Sequence, residues 1–268
     1  MKLGFIGAGN MAGAIIKGFV NKNCVNSSDI YFIRQNKEKQ AQQASELGIN
    51  GCNDYESLIE NSDILFLGVK PVVFPTLLPQ IAKSVKKKNP LVVSMAAGLT
   101  TDSIKEMLGY DAKIIRIMPN VNAAIAMSTT AVCKNEFASD EDLATIKNLF
   151  SSIGLTTEVP ENQFAIFTAI AGCSPAYVYM FIYGLARGAQ KMGMNKQKAL
   201  EIAASAVIGS ASMYAQSNEH PQELVDKVCS PGGTTIEGVT TLEEYKFTAG
   251  VVKAVENSIL KDRELSKK

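Results

Sequence analysis

The chain has 268 residues, 46% of them hydrophobic and 20% charged, which is enough for one large domain or two modest ones with a generous core. With 27 basic and 26 acidic residues its net charge is +1, so it carries no electrostatic footprint for nucleic acid or an anionic membrane. Five scattered cysteines without a CxxC read as reduced thiols in a cytoplasmic protein, and the single histidine, His220, gives little material for a metal centre or a Ser-His-Asp triad.

Leu3, Phe5 and Ile6 form an apolar run that leads directly into Gly7-Ala8-Gly9-Asn10-Met11-Ala12, followed by an Ala/Ile-rich helix over residues 13–21. This is a strand, a glycine turn and a helix start. Gly7 permits the sharp exit, Gly9 lets a pyrophosphate approach the backbone, and Ala12 is the third small residue that lets helix pack on strand. The free N–H groups and positive dipole end of the helix then face phosphates. Residues 30–33 form the next strand and end at Arg34-Gln35-Asn36-Lys37, where an NAD-binding chain would carry an acid. A basic residue there suits the extra phosphate of NADP, so the expected cofactor is NADPH, with NADH possible.

A polar helix over 37–47, a short strand over 48–52 and a helix over 55–60 follow, with Asn53 assigned to the cofactor set. Residues 63–69 read as a fully apolar central strand ending in Val69-Lys70-Pro71 at the carboxyl edge, where such sheets bind ligands. Lys70 is placed near the nicotinamide end. The strand over 91–95 runs into Ala96-Ala97-Gly98, small residues that let a flat ring lie against the backbone. A strand over 113–118 stops at Pro119-Asn120. Two added edge strands over 129–133 and 156–159 flank a helix capped near Ser139 or Asp140.

The alternation predicts an α/β protein with an N-terminal Rossmann-type, doubly wound parallel sheet over residues 1–160. From Pro160 the texture is helical, over 162–171, 175–192, 196–216, 221–228, 234 onward and 246–264, giving an all-α C-terminal dimerisation and substrate domain over 161–268. The uncharged run from Phe164 to Ala186 is long enough to suggest a membrane span. Gly172-Cys173-Ser174-Pro175 breaks it, which favours two shorter buried helices. Ala165, Ile166, Ala169, Ile170, Val178, Phe181, Ile182 and Leu185 present more apolar surface than this segment can bury alone, so it is expected to pair with a second copy, with a higher assembly of dimers left open. The tail over 265–268 is expected to fray.

At Ser230-Pro231-Gly232-Gly233-Thr234-Thr235 the chain resembles the pyrroline-5-carboxylate reductase family. The resemblance spans nearly the whole length, through IGAGNMA at the start, VKP at 69–71, RIMPN at 116–120, GCSPAY at 172–177 and SPGGTT at 230–235. It implies reduction of Δ1-pyrroline-5-carboxylate to L-proline with NAD(P)H. The family commonly reads MPNTP and GSGPAY, so no hydroxyl role carries over to Val121 or Cys173. In SPGGTT two glycines before two threonines expose several N–H groups to one spot, a nest that binds a carboxylate without arginine. Ser230, Gly232, Gly233, Thr234 and Thr235 are therefore the substrate set. Thr235 is the candidate catalytic hydroxyl, with an ordered water as the other candidate proton source. A cyclic imine arrives already protonated, so the protein's task is alignment with the nicotinamide. The site is expected in a cleft between domains, or between two subunits. His220, before Pro221, is given a structural role.

The residues leave two other readings open. One is another NADP-dependent imine or β-hydroxyacid oxidoreductase, although the β-hydroxyacid chemistry needs a base, usually lysine, and none occurs over 162–186. The other is a non-catalytic NADP-binding sensor, which needs no carboxylate nest.

Overall fold

Short, unbroken apolar strands build the centre of the sheet. In the computed structural model, which describes residues 1–265, β1 (Leu3–Ile6), β4 (Ile64–Leu67), β5 (Leu91–Ser94) and β6 (Ile114–Met118) are buried along their whole length. That pattern belongs to parallel strands covered on both faces. With β2 (Ile30–Ile33), β3 (Asn50–Gly51), β7 (Ser128–Lys134) and β8 (Gly154–Glu158) they form an eight-stranded sheet of order β3-β2-β1-β4-β5-β6-β7-β8. The first six strands are mutually parallel, β7 runs antiparallel to β6, and β8 is parallel to β7.

Helices α1 (Asn10–Asn21), α2 (Lys37–Leu47) and α6 (Asp140–Ser151) cover one face. Phe5 and Phe66 stack there at 4.5 Å, and Phe150 meets Phe19 edge-on at 5.3 Å. Helices α3 (Tyr55–Glu60), α4 (Phe74–Lys88) and α5 (Thr101–Leu108) cover the other around Leu65, Leu67, Phe74 and Ile104. Local chemistry sets the helix starts. Asn36, Asp54 and Thr100 cap α2, α3 and α5, and Ser139 with Asp142 forms a capping box on α6. The strands predicted over 48–52 and 63–69 are shorter in fact. The second stops at Gly68, where β1 and β4 come together too closely for a side chain.

The helical part consists of α7 (Phe164–Phe167), a π-turn over Thr168–Gly172, α8 (Ser174–Lys191), α9 (Lys196–Gln216), α10 (Pro221–Val228), α11 (Thr234–Glu244) and α12 (Phe247–Leu265). The break expected at 172–175 is this π-turn with Pro175 in the first turn of α8, but α8 is not the buried helix expected: Val178, Tyr179, Met180, Phe181, Tyr183 and Leu185 are exposed in the single chain. The chain forms two compact units, one of Met1–Gly172 with the end of α12 from Ile259, the other of Cys173–Ser258. The first unit continues past Pro160 because Phe164, Phe167 and Ala171 pack against Met118, Ala131 and Cys133. Glu161 also accepts bonds from Arg116 at 3.2 Å and from the Thr101 N–H at 2.8 Å. In the second unit α8 packs along α9, Phe181 meets Phe247 at 5.8 Å, and the Tyr177 and Ser258 hydroxyls bond at 2.7 Å. Residues 266–268, where fraying is expected, lie outside the described residues.

Candidate active site

The strand order reverses direction of travel between β1 and β4, and at such a point the carboxyl edge of a doubly wound sheet opens into a crevice. Ile33, Ile6, Leu67 and Ser94 lie in register across β2, β1, β4 and β5. The residues that follow them therefore form one row along that edge: Arg34, Gly7, Gly68-Val69-Lys70-Pro71 and then Ala96 and Gly98. Asn53, exposed just beyond β3, extends the row on the other side of Arg34.

Gly7 has φ +89°, and a Cβ there would lie 2.8 Å from both the Gly68 carbonyl oxygen and a Val69 methyl. Only glycine fits. A Cβ on Gly68 would meet the Gly7 oxygen at 2.5 Å and the Ala12 methyl at 2.8 Å, so Ala12, buried at the start of α1, is as large as the packing permits. Gly9 differs: a Cβ there meets nothing within 4 Å, so the turn is open on its outer side. Gly9 caps α1 with no side-chain hydrogen bond and no acid in the first turn, which leaves the N–H groups of Asn10, Met11 and Ala12 to an external acceptor. Ala8, Gly9, Asn10 and Arg34 line one open groove of about 560 Å³. Lys70 and Pro71 are exposed at the end of β4, Ala96 is buried, and Gly98 turns with φ +78°.

In the second unit, Ser230-Pro231-Gly232-Gly233 forms a turn, with φ +63° at Gly232 and the Gly233 N–H donating to the Ser230 carbonyl at 3.0 Å. A Cβ on Gly233 would collide with the Ser230 side chain. Gly233 caps α11, again with no side-chain cap, so Thr234 and Thr235 begin a helix with free N–H groups. The Thr240 and Thr241 hydroxyls bond to carbonyls of their own helix at 3.0 Å and 2.8 Å, whereas those of Thr234 and Thr235 have no partner among the described residues. His220 caps α10, its Nδ1 accepting from the Gln222 N–H at 3.2 Å.

Sequence reasoning missed the polar wall of the groove. Lys39, Gln42, Gln43 and Glu46 from α2 face Gly13 and Lys17 from α1 there. The signal was present as polar residues recurring at helical spacing in KEKQAQQASEL.

Residues 161–265 match the family described as pyrroline-5-carboxylate reductase dimerisation, and residues 2–98 match one described as NADP oxidoreductase coenzyme F420-dependent. The pyrroline-5-carboxylate reductase of Escherichia coli is 40% identical over 99% of this chain and 98% of its own. Among solved structures, 1-pyrroline-5-carboxylate reductase from Streptococcus pyogenes is 38% identical with a TM-score of 0.89, over 98% of both chains. The Plasmodium falciparum pyrroline carboxylate reductase, solved with NADP bound, is 30% identical with a TM-score of 0.90, over 99% of this chain and 98% of that one. The stretch Glu161–Lys191, long and apolar enough by composition to cross a membrane, begins the region matched to dimerisation.

Proposed function

This chain belongs to the pyrroline-5-carboxylate reductase family, and from that premise we propose how its own residues reduce Δ1-pyrroline-5-carboxylate to L-proline, the last step of proline biosynthesis, with NAD(P)H. The observation that carries the reading is a shared construction. Helices α1 and α11 each begin on an extended glycine with no side-chain cap, whereas Asn36, Asp54, Thr100, Ser139, Asn195 and His220 cap six other helices. Helices α4, α7 and α8 also lack a side-chain cap but start from residues already in helical conformation after a preceding turn. The two uncapped starts on an extended glycine, one in the sheet unit and one in the helical unit, are thus those left open for anions.

The turn Gly7-Ala8-Gly9-Asn10-Met11-Ala12 fits a dinucleotide pyrophosphate, because Gly9 is open outward and the N–H groups beyond it are free. Arg34 holds the 2′-phosphate that distinguishes NADPH. Asn53, Val69, Lys70, Pro71, Ala96 and Gly98 line the remainder of the cofactor along the carboxyl edge. The nicotinamide supplies the hydride to the imine carbon. The N–H groups of Gly232, Thr234 and Thr235 hold the substrate carboxylate beside Ser230, with the Gly233 N–H closing the turn onto the Ser230 carbonyl. The Thr235 hydroxyl, free of partners within the chain, bonds to that carboxylate or to the ring nitrogen. A protonated cyclic imine needs no acid from the protein before hydride arrives, which suits a helix start carrying hydroxyls and amides.

The enzyme is a homodimer through residues 161–265. The five free cysteines fit a cytoplasmic location. The reading is tested by following nicotinamide absorbance with purified dimer, NADPH and pyrroline-5-carboxylate. Absorbance is expected to fall, and a flat trace while cofactor binding is seen independently would overturn the reading. Thr235→Ala is expected to lower kcat by roughly 10- to 100-fold, the size of one lost transition-state hydrogen bond, with NADP⁺ affinity unchanged. Normal kinetics would remove Thr235 from the site.

A further inference from the structure

The groove beside the glycine turn lies between α1 and α2, with Asn10, Gly13 and Lys17 on one wall and Lys39, Gln43 and Glu46 on the other. Arg34 closes it at the end of β2. Lys17, Arg34 and Lys39 form no ion pair among the described residues. The only acid in the lining, Glu46, sits two turns of α2 beyond Lys39, roughly 10 Å along the axis, and accepts from Gln42 at 2.7 Å. The end near Arg34 is therefore net positive.

Helix α2 holds Arg34 twice. Its backbone N–H donates to Gln40 Oε1 at 2.8 Å, and its Nη1 donates to Gln43 Oε1 at 2.7 Å. Gln40 is itself buried and anchored by its amide nitrogen on the Cys52 carbonyl at 2.8 Å. Gln43 Nε2 lies against α1, 3.4 Å from where a methyl on Gly13 would stand. This amide can face only one way: its oxygen meets the cation, and reversal would turn its N–H groups onto the guanidinium. Because the acceptor is neutral, it fixes one edge of Arg34 without cancelling its charge. The rest of the five-donor fork is left for an oxyanion.

We propose that Gln43 is the positioning residue of a 2′-phosphate clamp formed by Arg34 and Lys39, and that it thereby sets the preference for NADPH over NADH. The inference rests on the dinucleotide reading above. Arg34 supplies a planar fork held in place before the cofactor arrives, Lys39 a second and more mobile charge. A glutamate at position 43 would reverse the effect, pairing with Arg34 and placing a negative charge beside a dianion.

The test is titration calorimetry of NADP⁺ and NAD⁺ on the full-length dimer, paired with steady-state kinetics using NADPH and NADH. Wild-type protein is expected to bind NADP⁺ more tightly than NAD⁺. Gln43→Ala and the volume-matched Gln43→Met are expected to weaken NADP⁺ roughly tenfold, the value of one charge-assisted bond, with NAD⁺ unchanged and kcat retained. Gln43→Glu should lose about 100-fold for NADP⁺ only, and Lys39→Ala several-fold with a shallower salt dependence. Equal losses for both dinucleotides in the Gln43 variants would make Gln43 mere packing and overturn the proposal. Selective loss in Arg34→Ala with none in any Gln43 variant would overturn it while leaving the dinucleotide reading intact. Failure of the wild type to bind either dinucleotide would remove both.

Discussion

The two compact units are drawn from one apolar-rich sequence, yet they use their apolar residues in opposite ways. In the sheet unit Phe5, Phe19, Phe32, Phe66, Phe74 and Phe150 are wholly buried. In the unit over Cys173–Ser258 the buried hydrophobic residues are Ala186, Ala199 and Ala203, while Tyr179, Met180, Met192, Ile208, Met213 and Tyr245 are more than half exposed in the single chain. The first unit closes its own core with two helical layers. The second spreads its apolar surface over α8, α9 and the helices after them, so its stability depends on how much partner surface is available. The α8 part of the membrane-like stretch 161–191 lies on that surface, within the region matched to a dimerisation family.

The sharpest way to break this contrast is to charge the exposed side. Met180 and Ile208 are 74% and 64% exposed in the single chain, and a charge at such positions costs little if they face water. If a partner covers them, the double variant Met180→Asp/Ile208→Asp should raise the dimer dissociation constant about 1,000-fold, about 4 kcal/mol, as seen by sedimentation. Leu155→Asp on β8, 66% exposed in the sheet unit, should shift stability by no more than about 0.5 kcal/mol. An unchanged dimer in the double variant would overturn the account of the helical surface.

A smaller effect probes the other unit. Gly7→Ala forces an L-residue to φ +89° and drives a methyl to 2.8 Å from the Gly68 oxygen, so it should cost about 3 kcal/mol in urea unfolding. NADP⁺ affinity should fall with it, while the dimer survives sedimentation. Simultaneous loss of the dimer would show that the two units are not separable in this way.

Smaller again is an alkaline effect confined to the sheet unit. Burial, aided by the negative charge of Glu161, pushes the Cys133 thiol up from 9.0 to about 12. Above pH 9 the unfolded thiol releases its proton while the folded one keeps it, so the native state binds more protons and stability falls as pH rises. Near pH 10 the loss is about 1.4 kcal/mol. Cys133→Ala should flatten stability between pH 9 and 12, and an identical slope in the variant would exclude this thiol as its source.

Much of this was legible in the residues. The IGAGNMA turn, the apolar strands ending in VKP and AAG, the helical texture after Pro160 and the SPGGTT turn each depend on local rules, namely period, glycine geometry and capping. What escaped depends on neighbours remote in sequence. Gly68 looked like the end of an apolar strand, and its need to be glycine appears only because β1 and β4, non-consecutive in the chain, lie side by side. Lys39 and Gln43 read as polar helix surface, and their facing of Arg34 and Gly13 follows from the crossover that sets α2 beside α1. Arg116 is 4% exposed because β7 pairs with its strand, Glu161 meets it, and the Phe164 ring lies 4.5 Å beneath its guanidinium.

The sequence by itself therefore determined which segments become strands or helices, where the two glycine-capped helix starts lie, and that the C-terminal half carries apolar surface beyond its own needs. These follow from interactions among residues a few positions apart. Only the tertiary structure decided which small residues touch, which cations share a groove, and which side chain holds Arg34 in position. Such pairings are set by strand order and helix packing, and these bring together residues that no local pattern connects.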